Sequence, residues 1–132
     1  MQAGSTILAI DDERFNLVVI RLMLERAGFQ VFTARDGLEA LNIIGDQIPD
    51  AIILDLMMPR LDGLSTLGAI AEDARLRDIP VIVVSAMDDE ETVAATLRAG
   101  ASAHLSKPID MAKLVRALHA LPNREPQPPI AR

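Results

Sequence analysis

Short, uninterrupted runs of branched apolar residues are the feature that most restricts the fold of this chain. Four such runs cover Ile7–Ile10, Ala51–Leu54, Val81–Val84 and the segment around Leu105. Runs of this length and composition are typical of strands that are buried on both faces, as in a parallel sheet. Helical patterns lie between them, and strand and helix patterns alternate five times along the chain. That alternation predicts a doubly wound α/β domain.

The predicted strands lie near residues 6–10, 30–34, 51–55, 80–85 and 103–106. Helices are predicted over about residues 14–27, after Asp36, over about 64–74, from the acidic run 88–91 and from Asp110. Asp88 and Glu91 have the spacing of a capping box, which predicts the start of the fourth helix at Asp88. Residues 1–121 are therefore expected to form one domain. Four of the eight prolines lie in residues 122–132, which predicts a proline-rich tail or an interdomain linker.

Polar side chains stand at the ends of these apolar runs. Asp11 and Asp12 follow the first run, Asp55 the next, Ser85 the third, and Lys107 the last. In open parallel sheets, ligands bind beyond the carboxyl ends of the strands, so these side chains are expected to converge on one small site. Three carboxylates placed together repel one another unless a cation lies among them. Oxygen ligands of this kind suit Mg²⁺.

Composition excludes several other classes of protein. The net charge is −6, the thirteen basic residues are scattered, and Tyr and Trp are absent. A basic groove with stacking aromatic residues is therefore missing, and no direct binding to nucleic acid is expected. There is no cysteine, which rules out a disulfide framework or a cysteine-based zinc site. Neither a signal peptide nor an apolar stretch of membrane-spanning length is evident, so a cytoplasmic protein without membrane contact is expected.

Taken in order along the chain, these motifs resemble the response-regulator receiver domain of two-component signalling. The most telling stretch is Leu54-Asp55-Leu56-Met57-Met58-Pro59, followed by Asp62-Gly63. Ser85-Ala86, Lys107-Pro108 and Ala99-Gly100-Ala101 lie in matching places. The similarity covers about residues 5–121. It implies a flavodoxin-like fold, a five-stranded parallel sheet of order 2-1-3-4-5 with five helices.

The resemblance also implies a chemistry for the strand-end residues. Asp55 would accept a phosphoryl group from the phosphohistidine of a histidine kinase or a phosphotransfer protein, within a phosphorelay. Asp12 would bind Mg²⁺ directly and Asp11 through water. Asp55 itself and the backbone carbonyl of Met57 would be further metal ligands. Phosphoryl transfer requires alignment and charge neutralisation, which such a site supplies.

On the same grounds, Lys107 would neutralise phosphoryl oxygens, and Ser85 would hydrogen-bond the phosphoryl group and draw its loop inward. The Lys107–Pro108 bond is expected to be cis. His104 departs from the family, which has Tyr or Phe at this position as a switch side chain. Two interpretations are open: His104 is a smaller, titratable switch residue, or it is a partly exposed residue at the end of a strand. Helix four, strand five and helix five would contact an output domain or partner, or a second copy of the chain.

Other interpretations remain open. Asp11 and Asp12 taken alone resemble helix-capping residues. A haloacid-dehalogenase-type phosphatase also uses an Asp nucleophile with Mg²⁺, but it needs a second Asp two residues later, where this chain has Met57. A receiver-like binding module that is never phosphorylated is the other alternative. As a receiver, the chain is expected to promote only its own phosphorylation and dephosphorylation and not to act as an enzyme on other substrates.

Overall fold

A computed structural model describes residues 1–56 and 62–122 of the 132-residue chain. Ten elements alternate along it, in this order: β1 (Thr6–Ile10), α1 (Arg14–Arg26), β2 (Gln30–Ala34), α2 (Gly37–Asp46), β3 (Ala51–Leu54), α3 (Gly63–Glu72), β4 (Val81–Ser85), α4 (Glu90–Arg98), β5 (Ala103–Ser106) and α5 (Met111–Ala120). The predicted strands therefore agree with the observed ones to within a residue at each end. The proline-rich tail predicted for residues 122–132 lies outside the described residues apart from Pro122.

The five strands form one parallel sheet in the order β2-β1-β3-β4-β5. The flavodoxin-like fold predicted from the resemblance is therefore confirmed. Branched apolar side chains fill both faces of the central strands, because β1, β3 and β4 are covered by helices on each side. One core cluster includes Leu8, Leu54 and Leu67. The other includes Ile7, Leu24 and Leu114, on the opposite face of the sheet.

Aspartates cap the N-termini of four helices. The side chain of Asp36 accepts a hydrogen bond from the backbone of Glu39, and Asp62, Asp89 and Asp110 do the same for α3, α4 and α5. Such caps satisfy backbone N–H groups that have no partner within the helix. The prediction that the fourth helix starts at Asp88 is wrong by one residue. Asp89 is the cap because its carboxylate accepts bonds from both the backbone N–H and the hydroxyl of Thr92.

Helix α1 buries one side and exposes a large part of the other. Leu17, Ile20 and Leu24 are buried in the core. Gly28 follows the helix with φ of 97°, and Phe29 N–H returns to the Leu24 carbonyl, which closes the last turn. No helix in residues 1–56 and 62–122 is both long and apolar enough to cross a membrane.

Candidate functional site

The carboxyl ends of four strands supply the predicted site residues. Asp11 directly follows β1, Asp55 follows β3, Ser85 ends β4, and Lys107 follows β5. Backbone hydrogen bonds also join neighbouring strands at these ends. Asp55 N–H donates to the Ile10 carbonyl at 3.0 Å, and Lys107 N–H donates to the Ser85 carbonyl at 3.0 Å. Since all strands run in one direction, residues distant in the sequence meet at one edge of the sheet.

Three carboxylates converge there. Asp11, Asp12 and Asp55 each offer an oxygen atom, and these atoms all lie within 4.8 Å of one another. Asp11 and Asp55 are only 3% and 5% exposed, and Asp12 is half-buried. Placing three negative charges this close in a partly dry site is unfavourable without a cation. Oxygen donors at this spacing fit a small divalent cation such as Mg²⁺.

Lys107 carries the balancing charge that the chain itself provides. Its Nζ lies 3.2 Å from Asp11 Oδ2 and 3.2 Å from Asp55 Oδ2. Burial by itself lowers the pKa of Lys107, but the charges of Asp11 and Asp55 and their hydrogen bonds to Nζ outweigh burial and raise it above its usual value. The side chain is therefore an ammonium at neutral pH. One positive and three negative charges leave an excess of two negative charges, which one divalent cation would balance.

Two neighbours fix the orientation of Asp11. Its Oδ1 accepts a hydrogen bond from Glu13 N–H at 2.9 Å, and its Oδ2 accepts one from the Asn16 amide at 3.3 Å. Sequence reasoning missed Asn16, which lies in the first turn of α1. The signal was present, since an amide in the turn that follows a strand-end aspartate faces the same edge of the sheet.

Gly63 belongs to the stretch on which the resemblance rests, but the sequence does not show how closely it packs against β3. A Cβ built on Gly63 would lie 2.5 Å from Leu56 Cα and 2.6 Å from the Asp55 carbonyl oxygen. The start of α3 thus packs directly on the backbone that carries Asp55, and only a residue without a side chain allows this approach. Met57, the predicted backbone ligand to Mg²⁺, lies outside the described residues.

Ser85 is fully buried, and its hydroxyl oxygen accepts a hydrogen bond from Met87 N–H at 3.0 Å. Met87 is the donor in this contact, so the hydroxyl proton of Ser85 takes no part in it. The Lys107–Pro108 peptide is cis, as the resemblance implies.

His104 lies on β5 opposite Val83 of β4 and is half-buried. Its Nδ1 lies 3.0 Å from the hydroxyl of Thr96 on α4. The sequence predicts a switch side chain at this position but not a polar contact to α4. Its role as a switch stays a prediction.

The family model of the response regulator receiver domain matches residues 7–119 of this chain. The chain belongs to this family. Receiver domains are the phosphoacceptor modules of two-component response regulators, and they bind Mg²⁺ at an acidic pocket. In this chain, Asp11, Asp12 and Asp55 form an acidic cluster at the carboxyl edge of the sheet.

Curated response regulators are similar to this chain in sequence. The response regulator MprA of Mycobacterium sp. (strain KMS) is 39% identical over 118 residues, which cover 89% of this chain and 50% of that protein. MprA of Mycobacterium leprae is also 39% identical, over 89% of this chain and 51% of that protein. The chain thus spans about half the length of these relatives.

Two solved receiver structures have the same fold. The receiver domain of the Francisella response regulator 1452 superimposes with a TM-score of 0.83 at 32% identity, covering 88% of this chain and 94% of that one. The chemotaxis protein CheY4 of Vibrio cholerae gives a TM-score of 0.84 at 28% identity, covering 89% and 98%.

Proposed function

We propose that Asp55 is the phosphoacceptor of this receiver domain and that Asp11, Asp12 and Lys107 prepare it for Mg²⁺-dependent transfer. The observation that carries the proposal is the Lys107 ammonium, which lies 3.2 Å from both Asp11 and Asp55 within the cluster of three carboxylates. A buried carboxylate flanked by a fixed ammonium and a divalent-cation pocket is suited to attack a phosphorus atom, since both nucleophile and phosphate are negatively charged.

In the proposed reaction, an oxygen of Asp55 forms a bond to the phosphorus of an N-phosphohistidine. The P–N bond breaks, and the histidine ring of the donor keeps the electron pair. The product on this chain is an aspartyl-phosphate. Asp11, Asp12, Asp55 and the carbonyl of Met57 would hold Mg²⁺, which would neutralise charge on the phosphoryl oxygens.

Lys107 and Ser85 would bind the phosphoryl group after transfer. The ammonium of Lys107 already lies between two carboxylates and needs only a small shift to contact a phosphoryl oxygen on Asp55. The proton of the Ser85 hydroxyl is available as a donor, because the contact with Met87 uses the oxygen as an acceptor. Drawing Ser85 toward the phosphoryl group would pull on the connection between β4 and α4.

Intact mass measurement after incubation with Mg²⁺ and acetyl phosphate tests the phosphoacceptor. One added phosphoryl group is expected for the parent chain and none for Asp55→Asn or in EDTA. Asp78→Asn is the matched control, because Asp78 is an exposed aspartate in the connection from α3 to β4. Phosphorylation of Asp55→Asn at the parent level would refute the assignment. Folded parent protein that takes up no phosphoryl group, from acetyl phosphate or from kinases, would favour a receiver-like binding module.

The protein donor is proposed to dock on the exposed apolar face of α1, the donor face, formed by Phe15, Val18, Val19, Leu22 and Met23. Phe15 is 75% exposed and Leu22 is 58% exposed. A groove between Phe15, Val19 and the Lys107–Ile109 segment joins this face to the phosphorylation site. A histidine kinase or phosphotransfer protein must bring its phosphohistidine to Asp55, so a contiguous apolar surface beside the site fits its docking better than a remote one.

Phosphotransfer from a panel of purified, autophosphorylated histidine kinases tests the donor face. Leu22→Glu is expected to abolish transfer from the kinase that the parent accepts and to leave phosphorylation by acetyl phosphate unchanged. Leu97→Glu is the control, because Leu97 is similarly exposed (46%) but lies on α4. Unimpaired kinase transfer to Leu22→Glu would place the donor elsewhere.

The output partner is proposed to bind the surface formed by α4, β5 and α5. β5 is an edge strand without a fully buried residue, and α4 contributes one fully buried side chain, so these two elements are packed less tightly than the central strands. A second copy of the chain is one candidate partner. Light scattering with and without acetyl phosphate distinguishes a phosphorylation-dependent homodimer from a monomer that signals to another protein.

A further inference from the structure

The most deeply buried side chain of helix α4 is that of a polar residue. It packs chiefly against β5, and Thr96 is its single fully buried side chain, at 0% exposure. Leu97, its largest apolar residue, is 46% exposed. Apolar contacts are non-directional and tolerate small shifts, whereas a hydrogen bond between two buried groups requires one geometry. The attachment of α4 therefore depends on the contacts of the Thr96 hydroxyl.

That hydroxyl has two hydrogen-bond neighbours. Its oxygen lies 2.8 Å from the Val93 carbonyl of the same helix and 3.0 Å from His104 Nδ1 of β5. A hydroxyl has one proton, which can be donated to only one of them. If it were donated to His104, the ring proton would reside on Nε2. This nitrogen is buried and has no hydrogen-bond partner within the described part of the chain, so a buried N–H would be left without an acceptor.

The other assignment satisfies every donor. The Thr96 hydroxyl donates to the Val93 carbonyl, and His104 donates from Nδ1–H to the Thr96 oxygen. Only the lone pair on Nε2 then lacks a partner, and unpaired buried acceptors are less costly than unpaired donors. The contacts thus assign His104 as the neutral Nδ1–H tautomer.

This hydrogen bond lies close to the phosphorylation site along the sheet. His104 is opposite Val83, and Ser85 lies two residues further along β4. Side chains alternate along a strand, so Val83 and Ser85 point to the same face of the sheet. Only residues 86–89 connect β4 to α4, so a shift of Ser85 pulls on the N-terminus of α4.

We propose that the Thr96–His104 hydrogen bond is a joint that holds α4 on β5 and that it sets how readily α4 moves when Asp55 is phosphorylated. The second part rests on the proposed function, whereas the joint and the tautomer do not. Thr96 is in this view a positioning residue, which acts on the signal through α4 and makes no contact with the reacting atoms.

Imidazole ¹⁵N NMR of the complete, unphosphorylated chain tests the joint. The parent is expected to show a protonated Nδ1 and an unprotonated Nε2 for His104. Thr96→Val removes the acceptor at nearly constant volume and should abolish this signature. It should also speed amide hydrogen exchange in α4 by roughly three- to tenfold, the loss expected for one buried hydrogen bond. Thr96→Ser retains the hydroxyl and should restore both.

Thr92→Val is the matched control, because the Thr92 hydroxyl donates a hydrogen bond to the carboxylate of Asp89, the residue that caps the same helix. It should leave the His104 signals unchanged. A protonated Nε2 in the parent would overturn the tautomer and the joint. Exchange in α4 of Thr96→Val at the parent rate would show that the joint does not hold the helix.

Coupling to phosphorylation is tested by repeating the exchange measurement with Mg²⁺ and acetyl phosphate. Phosphorylation should change α4 exchange in the parent and change it by a smaller factor in Thr96→Val. If phosphorylation changed α4 exchange by the same factor in the parent and in Thr96→Val, the proposed coupling would be overturned. Absence of phosphoryl uptake by the parent, from acetyl phosphate and from the kinases alike, would instead refute the proposed function and leave the result on the tautomer standing.

Discussion

Replacing Asp12 with Asn is expected to stabilise the protein when divalent cations are removed. Oxygens of Asp11, Asp12 and Asp55 lie within 4.8 Å of one another. Lys107 forms ion pairs with Asp11 and Asp55, and within the part of the chain that the structure describes there is none to Asp12. The Asp12→Asn variant therefore removes repulsion and keeps both ion pairs.

The size of the effect follows from Coulomb's law. At a separation of 4.8 Å, two like charges repel by about 1 kcal/mol at the dielectric constant of water and by about 3.5 kcal/mol at an effective constant of about 20. Asp12 is half-buried, so the lower value is appropriate for each of its two neighbours. After allowance for lost attraction to Lys107 at longer range, we expect a gain of about 1–2 kcal/mol in the free energy of unfolding.

Urea unfolding followed by circular dichroism measures this gain, since the chain has no Trp or Tyr. In EDTA at low ionic strength, Asp12→Asn should unfold at a higher urea concentration than the parent. The parent should gain about 1.4 kcal/mol when Mg²⁺ is present at ten times its dissociation constant, and the variant should gain less. Asp78→Asn, at an exposed site, should stay within about 0.5 kcal/mol of the parent. An unchanged or lower midpoint for Asp12→Asn in EDTA would refute the argument that the cluster is electrostatically strained.

Three further predictions concern the surroundings of the site. Gly63→Ala should destabilise the protein by about 1–3 kcal/mol in the same urea assay and should slow phosphorylation, because the new Cβ would clash with the backbone of Asp55. The control is Gly68→Ala on the same helix, where a Cβ meets open space. It should stabilise the protein by about 0.5–1 kcal/mol. Lys107→Met should destabilise the protein by about 2–4 kcal/mol in EDTA, because it removes the ammonium that forms ion pairs with the buried Asp11 and Asp55, and the exposed Lys113→Met should have little effect. Hydrogen bonds from Thr92 hold the pKa of Asp89 in the folded protein below its usual 3.8. The charged carboxylate therefore contributes its full stabilisation of the folded state above pH 3.8, and this contribution is lost as the pH falls through the lower folded-state pKa. The difference in urea midpoint between the parent and Asp89→Asn should therefore be constant near neutral pH and change only below about pH 4.

The sequence predicts the sheet and the main site residues well, and for one reason. Continuous apolar runs specify buried parallel strands, and a parallel sheet places all strand ends at one edge. The position of a residue such as Asp55 or Lys107 relative to its run is therefore sufficient to predict that the two meet. Their contact at 3.2 Å confirms the proximity, while the roles of these residues stay proposals.

Features that depend on side-chain geometry were not predictable in the same way. The contact of Asn16 with Asp11 depends on how α1 leaves β1, and the choice of Asp89 over Asp88 as a cap depends on one residue of helix phase. The clash that a side chain at Gly63 would cause depends on how closely α3 approaches β3. Periodicity determines which face of a helix is buried. It does not determine the position of the helix accurately enough to predict an individual hydrogen bond.

The same distinction explains why the site and α4 suit a signalling role together. The carboxylate cluster lies at the ends of β1 and β3, two buried strands that are paired with each other, so its repulsion cannot be relieved by moving these strands apart. In the proposed mechanism, charge added at Asp55 would therefore be accommodated by Ser85 and the connection to α4. α4 has one buried side chain, and that side chain makes a directional hydrogen bond to His104. A helix held in this way has a defined docked position and a small barrier to leaving it, which is the property that a two-state response to phosphorylation requires.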